Sequence, residues 1–142
     1  MTVNTKAMRE YKNYEVFDDD EINLANRVRE GVSFDYFSTL ASQIHLNFQE
    51  WADYLHLSER TIQRYKKEGK VFDPIYAEKI IIIELLYKKG AEVFGIEENF
   101  YAWMDTKSVA LGGVKPKDLL DTAFGINMVY TELGRIEHGI FA

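Results

Sequence analysis

The sequence predicts an all-α protein, with an N-terminal helix-turn-helix bundle joined by a central helix to a smaller C-terminal helical domain. Three observations predict this class. Apolar residues recur at helical rather than alternating spacing along most of the 142-residue chain. The hairpin dipeptides Asn-Gly and Asp-Gly are absent. Capping residues and glycines also punctuate the apolar stripes at helix-length intervals.

The elements follow in order. Residues 1–17 are expected to form a flexible arm. Asp18 to Glu21 places carboxylates at the positive end of a helix running to about Glu30, before Gly31. A second helix is expected from about Ser33 to Gln43. Asn47 then caps a third, with Glu50 three residues on as in a capping box. Its stripe is Phe48, Trp51, Ala52 and Leu55. The turn His56-Leu57-Ser58 follows, with His56 where glycine would reach positive φ more easily. Ser58 caps a fourth helix stopped by Gly69.

Asp73-Pro74 opens a longer helix, expected to end at Lys88-Lys89-Gly90 and to carry apolar residues around most of its circumference. Ala91–Phe94, Glu97–Met104 and Pro116–Phe124 then read as short helices, the first ending at Gly95 and the last at Gly125. Leu111-Gly112-Gly113 reads as a loop. The last helix runs from Ile126 to about His138, with Ile126, Val129, Tyr130, Leu133 and Ile136 as its stripe. This order divides the chain into an arm (1–17), a helix-turn-helix domain (18–90) and a C-terminal domain (91–142).

Composition narrows the function. Apolar residues at 46% argue for a packed core. Without cysteine there is no disulfide, thiolate metal site or cysteine nucleophile. No apolar run approaches a membrane span and no secretory leader is visible, so a cytoplasmic protein without membrane contact is expected. A net charge of −6 is wrong for a uniformly basic nucleic-acid coat. The one basic concentration is Ser58–Lys70, with five basic and two acidic residues.

That concentration coincides with the turn and second helix of the segment Phe48–Gly69, which has helix-turn-helix geometry. Ala52 lets the two helices approach. Ile62 and Tyr65 face inward, while Arg60, Gln63, Arg64 and Lys67 gather on the opposite side. Those side-chain types bind guanine edges, adenine edges and phosphates. Thr61, one step aside, serves a phosphate or the helix start, and an ordinary solvated helix face is the competing reading. One such helix is too weak alone, so a homodimer on a palindromic double-stranded operator is expected.

The C-terminal half carries Val93-Phe94-Gly95, Trp103-Met104, Ala110-Leu111-Gly112-Gly113, Pro116, Asp118-Leu119-Leu120-Asp121-Thr122, Gly125 and Leu133-Gly134-Arg135-Ile136-Glu137-His138-Gly139. In order and spacing these resemble the toxin-binding domain of the Xre/MbcA/ParS antitoxins, partners of RES-domain toxins. The N-terminal half is similar to that family's helix-turn-helix through Ser58, Arg60, Thr61 and Arg64. The resemblance implies a type II antitoxin that neutralises an NAD-degrading toxin by covering its active site. It also implies repression of its own operon. With Gln63 and Lys67 of the outward face added to the four residues that carry the resemblance, the candidate DNA-binding residues are Ser58, Arg60, Thr61, Gln63, Arg64 and Lys67. What the resemblance itself carries over is a blocking segment at the end of the last helix and tail. The toxin-binding residues are Arg135, Glu137, His138, Gly139, Ile140, Phe141 and Ala142. Lys115 departs from the pattern, since the family more often has Thr or Ser before the proline.

Independently of the family, Ile140 and Phe141 form an apolar tail that either folds back or docks on a partner. A surface salt bridge between Arg135 and Glu137 is an equally simple use of those residues. No catalytic site, cofactor or metal is expected: His45, His56 and His138 are scattered and no phosphate loop appears. Two alternatives stand beside the antitoxin reading, a stand-alone repressor and a protein-interaction module without DNA binding.

Overall fold

The computed structural model describes residues 21–139. The arm, the start of the first helix and the apolar tail lie outside them. Among the described residues the chain forms α1 (Glu21–Glu30), β1 (Val32–Ser33), α2 (Phe34–Gln43), α3 (Phe48–Leu55), α4 (Glu59–Glu68), β2 (Val71–Phe72), α5 (Pro74–Phe94), α6 (Glu97–Met104), 3-10 turns at Val109–Leu111 and Pro116–Leu119, and α7 (Ala123–Gly139). The class is all-α as expected. The sequence did not disclose the minute antiparallel sheet pairing Val32 with Phe72 and Ser33 with Val71. The chain forms two compact units, one ending at Glu84 and the next beginning at Leu85.

The first unit is built on aromatic packing. Phe37, Trp51 and Phe72 are fully buried, and the Phe37 ring lies 4.9 Å from Phe72 and 5.1 Å from Trp51. Phe72 also contacts Tyr65 at 4.9 Å, so a residue of β2 supports the inner face of α4. A polar clamp ties three helices. Arg27 Nη2 donates to Glu84 Oε1 at 3.3 Å and to the Tyr36 hydroxyl at 3.2 Å, and that hydroxyl donates to Glu84 Oε2. Burial, then the bond to Glu84 and its charge, raise the Tyr36 pKa. Burial opposes the Arg27 charge, but Glu84 and Tyr36 outweigh it and its pKa rises.

In the second unit two glycines do not do what the sequence suggested. Gly90 does not stop α5, which continues to Phe94 and turns at Gly95 with φ +76°. A β-carbon at Gly90 would stand 2.1 Å from the ring of the fully buried Phe100. Gly90 is therefore a close-approach residue inside a helix. Likewise, Pro116 starts only a 3-10 turn, and Gly125 lies within α7 instead of ending a helix. Lys115 provides no side-chain cap for that turn, whereas Thr122 Oγ1 accepts from the Gly125 amide at 2.9 Å and caps α7. A β-carbon on Gly125 would lie 1.8 Å from the Leu119 carbonyl oxygen. The expected Leu111–Gly113 loop closes the 3-10 turn Val109–Leu111 through Gly112, and Ser108 bridges Val114 around both.

Candidate functional site

The candidate nucleic-acid site is held by local chemistry that the sequence encodes directly. Asn47 Oδ1 accepts from the Glu50 amide at 2.8 Å while Glu50 Oε1 accepts from the Asn47 amide at 3.1 Å. This reciprocal box fixes the start of α3. At its other end the Leu57 amide donates to Ala52 O at 3.0 Å, and the His56 amide to Asp53 O at 3.3 Å. That pair of bonds is a Schellman stop, and it puts His56 at φ 56°. Lys79 adds a third fastening by donating to Tyr54 O at 2.9 Å. The angle between α3 and α4 is thus set by backbone carbonyls at the turn, over the buried Ala52.

Ser58 Oγ accepts from the Thr61 amide at 3.0 Å and lies 2.9 Å from Thr61 Oγ1. The hydroxyls of Ser58 and Thr61 are committed to this cap, which orients the N-terminal turn of α4. Ile62 and Tyr65 are buried, while Arg60, Gln63, Arg64 and Lys67 are exposed. Among the described residues no ion pair engages Arg60, Arg64 or Lys67. The Arg64 guanidinium lies 5.8 Å from the Tyr65 ring centre, which braces it against the helix. Lys66 is also exposed and without an ion pair among the described residues. The sequence reading counted it in the basic segment but left it off the outward face. The six predicted DNA-binding residues therefore occupy one turn and one helix, as four exposed side chains and two capping hydroxyls.

The predicted toxin-binding residues are less uniform. Arg135 pairs with Glu132 at 3.4 Å rather than with Glu137. Glu137 accepts from Lys89 Nζ at 3.0 Å and so fastens the last turns of α7 to α5. The exposed His138 ring is 4.0 Å from Glu137, and Gly139 closes α7. Ile140, Phe141 and Ala142 lie outside the described residues. Trp103 is half-buried against Phe94 and Phe100, with ring centres 5.7 and 6.3 Å away. Lys115, unable to cap, pairs with Asp105 at 3.3 Å, and Lys117 reaches the same carboxylate at 3.6 Å. The bond to Lys115 and the charges of both lysines hold Asp105 below the usual carboxylate range. Among the described residues no cluster suits a metal ion, and no helix is long and apolar enough to cross a membrane.

Comparisons with known proteins follow this division. Residues 24–81 match the family model described as the antitoxin Xre-like helix-turn-helix domain. Residues 89–139 match that of the antitoxin Xre/MbcA/ParS C-terminal toxin-binding domain. The chain is 25% identical over 120 residues to "Antitoxin Xre" of Yersinia enterocolitica, covering 84% of this chain and 81% of that protein. It is 25% identical over 124 residues to "Prs ADP-ribosylating antitoxin" of a Sphingobium species, covering 81% of this chain and 78% of that one. A chain in the crystal structure of the M. tuberculosis MbcT-MbcA toxin-antitoxin complex shares the fold. Its TM-score is 0.57 at 21% identity, over 75% of this chain and 94% of that chain.

Proposed function

The chain belongs to the Xre/MbcA/ParS antitoxin family, both of whose domain models it matches in order, and from that premise we propose that it neutralises a RES-domain toxin acting on NAD. The blocking element is the end of α7 with the tail, Arg135 to Ala142, set over the toxin's active-site entrance. In the same proposal the protein is a cytoplasmic, non-enzymatic homodimer that represses its own operon through α4. The observation that carries the toxin half is the match of residues 89–139 to a toxin-binding domain, together with the exposure of Arg135 and His138 beside the tail. The name of one relative, an ADP-ribosylating antitoxin, supports the NAD part of this reading.

The DNA half is supported by the exposed cationic face of α4. Each neutralised phosphate adds about 0.9 to the slope of log affinity against log salt. Arg60, Arg64, Lys66 and Lys67 thus supply a slope of at most roughly 4 per helix. Two helices about 34 Å apart on a palindrome would double it.

The test is co-expression of the protein with the product of the adjacent reading frame. The full chain should restore growth and cellular NAD. Deletion of residues 140–142 combined with Arg135→Ala should abolish rescue while leaving the thermal midpoint unchanged. Full rescue by that variant would overturn the proposed blocking element. Failure of the complex to shift any promoter fragment would favour a module without DNA binding, a reading to which Glu59 and Glu68 at the ends of α4 also lend support.

A further inference from the structure

The helix-turn-helix unit exposes two apolar side chains immediately after the candidate recognition helix. Val71 in β2 is 51% exposed and Ile75 in the first turn of α5 is 76% exposed, with the exposed Pro74 between them. Their surroundings are electrically lopsided. Residues 58–70 before them hold five basic and two acidic residues, ending in Lys70, while residues 71–78 hold Asp73 and Glu78 and no basic residue. Asp73 and Glu78 are exposed, and no ion pair among the described residues engages them. Among the described residues Lys70 makes a loose, exposed pairing with Glu68 at 3.6 Å and lies 5.6 Å from the Tyr65 ring centre.

In chain order a cation, Lys70, opens this apolar stretch and a carboxylate, Glu78, closes it, with Asp73 between Val71 and Ile75, so the pattern complements itself. A two-fold axis through the strip sets the cation of one copy against the carboxylates of the other, and does so twice. We infer that the Val71–Ile75 surface is the face on which a second copy of this chain docks, with Lys70 of each copy facing Asp73 and Glu78 of its partner. The occupant is a second copy because the charge pattern matches its own reverse. The inference rests on the dimeric reading proposed above and gives that dimer its surface. The surface begins two residues beyond the end of α4, so pairing there fixes the two recognition helices relative to each other. Half-site spacing is then a property of this contact.

The experiment measures the mass of the full chain by analytical ultracentrifugation across a dilution series, for wild type and variants. Ile75→Asp should raise the dimer dissociation constant by more than about a hundredfold, because the symmetry counts one apolar anchor twice. Its helicity and thermal midpoint should match wild type, since Ile75 contributes little to its own core. Lys70→Glu and Glu78→Lys should each weaken the dimer about tenfold, and the double reversal should recover most of that loss. Phe124→Asp, at an 86% exposed position in the other unit, should leave the dimer intact. A dimeric wild type with an equally dimeric Ile75→Asp overturns this surface and leaves the dimer reading standing. Dissociation by Phe124→Asp but not by Ile75→Asp overturns it likewise. A wild type monomeric at every concentration overturns the dimer reading itself.

Discussion

Gly90→Ala tests whether the glycines inside the C-terminal helices are packing contacts. An added β-carbon would sit 2.1 Å from both Cε1 and Cζ of Phe100 and 2.6 Å from Cδ1. Carbon atoms at rest stay about 3.5 Å apart or more, so the ring must retreat by over ~1 Å. It has little room. Phe100 is fully buried, and the Tyr87, Phe94 and Trp103 rings stand 5.2, 5.7 and 6.3 Å from it. Overpacking of this kind costs about 1–3 kcal/mol. The crowding on every side places this site at the upper end. Alanine meanwhile gains about 1 kcal/mol over glycine in a helix interior. The net expectation is a loss of about 1–2 kcal/mol, read by urea unfolding followed by far-ultraviolet circular dichroism. Gly134→Ala is the control: Gly134 also lies inside a helix, but its β-carbon would meet nothing within 4 Å. It should be neutral or stabilising by up to ~1 kcal/mol. Adding Phe100→Leu to Gly90→Ala should cost less than the sum of the two single changes. Equal stabilisation by both glycine substitutions would refute the reasoning, because propensity alone would then govern both sites.

Three further outcomes follow from the first unit. Arg64→Ala with Lys67→Ala should lower the salt slope of operator binding by about 2 per protomer, measured by fluorescence anisotropy across a salt series; an unchanged slope would place both cations away from phosphate. Tyr36→Phe should destabilise the unit at neutral pH by losing the bond to Glu84. Because the folded pKa of Tyr36 is raised, its contribution is complete below about pH 10, the unfolded value, and is lost as pH rises through the folded one. The stability gap between wild type and Tyr36→Phe should therefore close under alkaline conditions, and a gap that holds or widens there would contradict the clamp. Trp51→Phe should cost little, within about 1 kcal/mol, because the buried indole N–H has no acceptor among the described residues and its removal offsets part of the lost packing; a loss of several kcal/mol would mean that the N–H is bonded.

Much of the helix-turn-helix was legible because its determinants are local. The Asn47–Glu50 box, the Ser58 cap, the Gly69 stop and the outward face of α4 each depend on residues within seven positions of one another. Even the φ 56° at His56 could be anticipated, since a three-residue turn leaves few other conformations. The C-terminal half was legible as a pattern and less so as a geometry. A glycine that stops a helix and one that admits a neighbouring ring look alike in sequence. Phe100 decides the matter for Gly90 and the Leu119 carbonyl for Gly125. Phe72 is the same problem reversed: an isolated aromatic in a linker is unremarkable until Tyr65 and Phe37 close on it.

The same distinction governs how the candidate sites must be interrogated. On α4 no ion pair among the described residues ties the exposed cations to the fold, so substituting them changes what the surface attracts and little else. At the end of α7 the chemistry is entangled with the architecture. Glu137 belongs to the segment that the family resemblance implicates in toxin binding, yet its carboxylate is bonded to Lys89 of α5. Glu137→Ala would loosen the last turns of α7 as well as remove a possible contact, so lost neutralisation would not reveal which mattered. Arg135 and His138 lack that ambiguity, because among the described residues Arg135 makes an exposed pairing one helical turn away and His138 a 4.0 Å approach to its neighbour. A Lys89→Met comparison resolves the rest. It breaks the same fastening while leaving the Glu137 carboxylate in place. If Lys89→Met impairs neutralisation as severely as Glu137→Ala, the pair acts by aiming the tail. If Lys89→Met is silent, the carboxylate itself meets the partner.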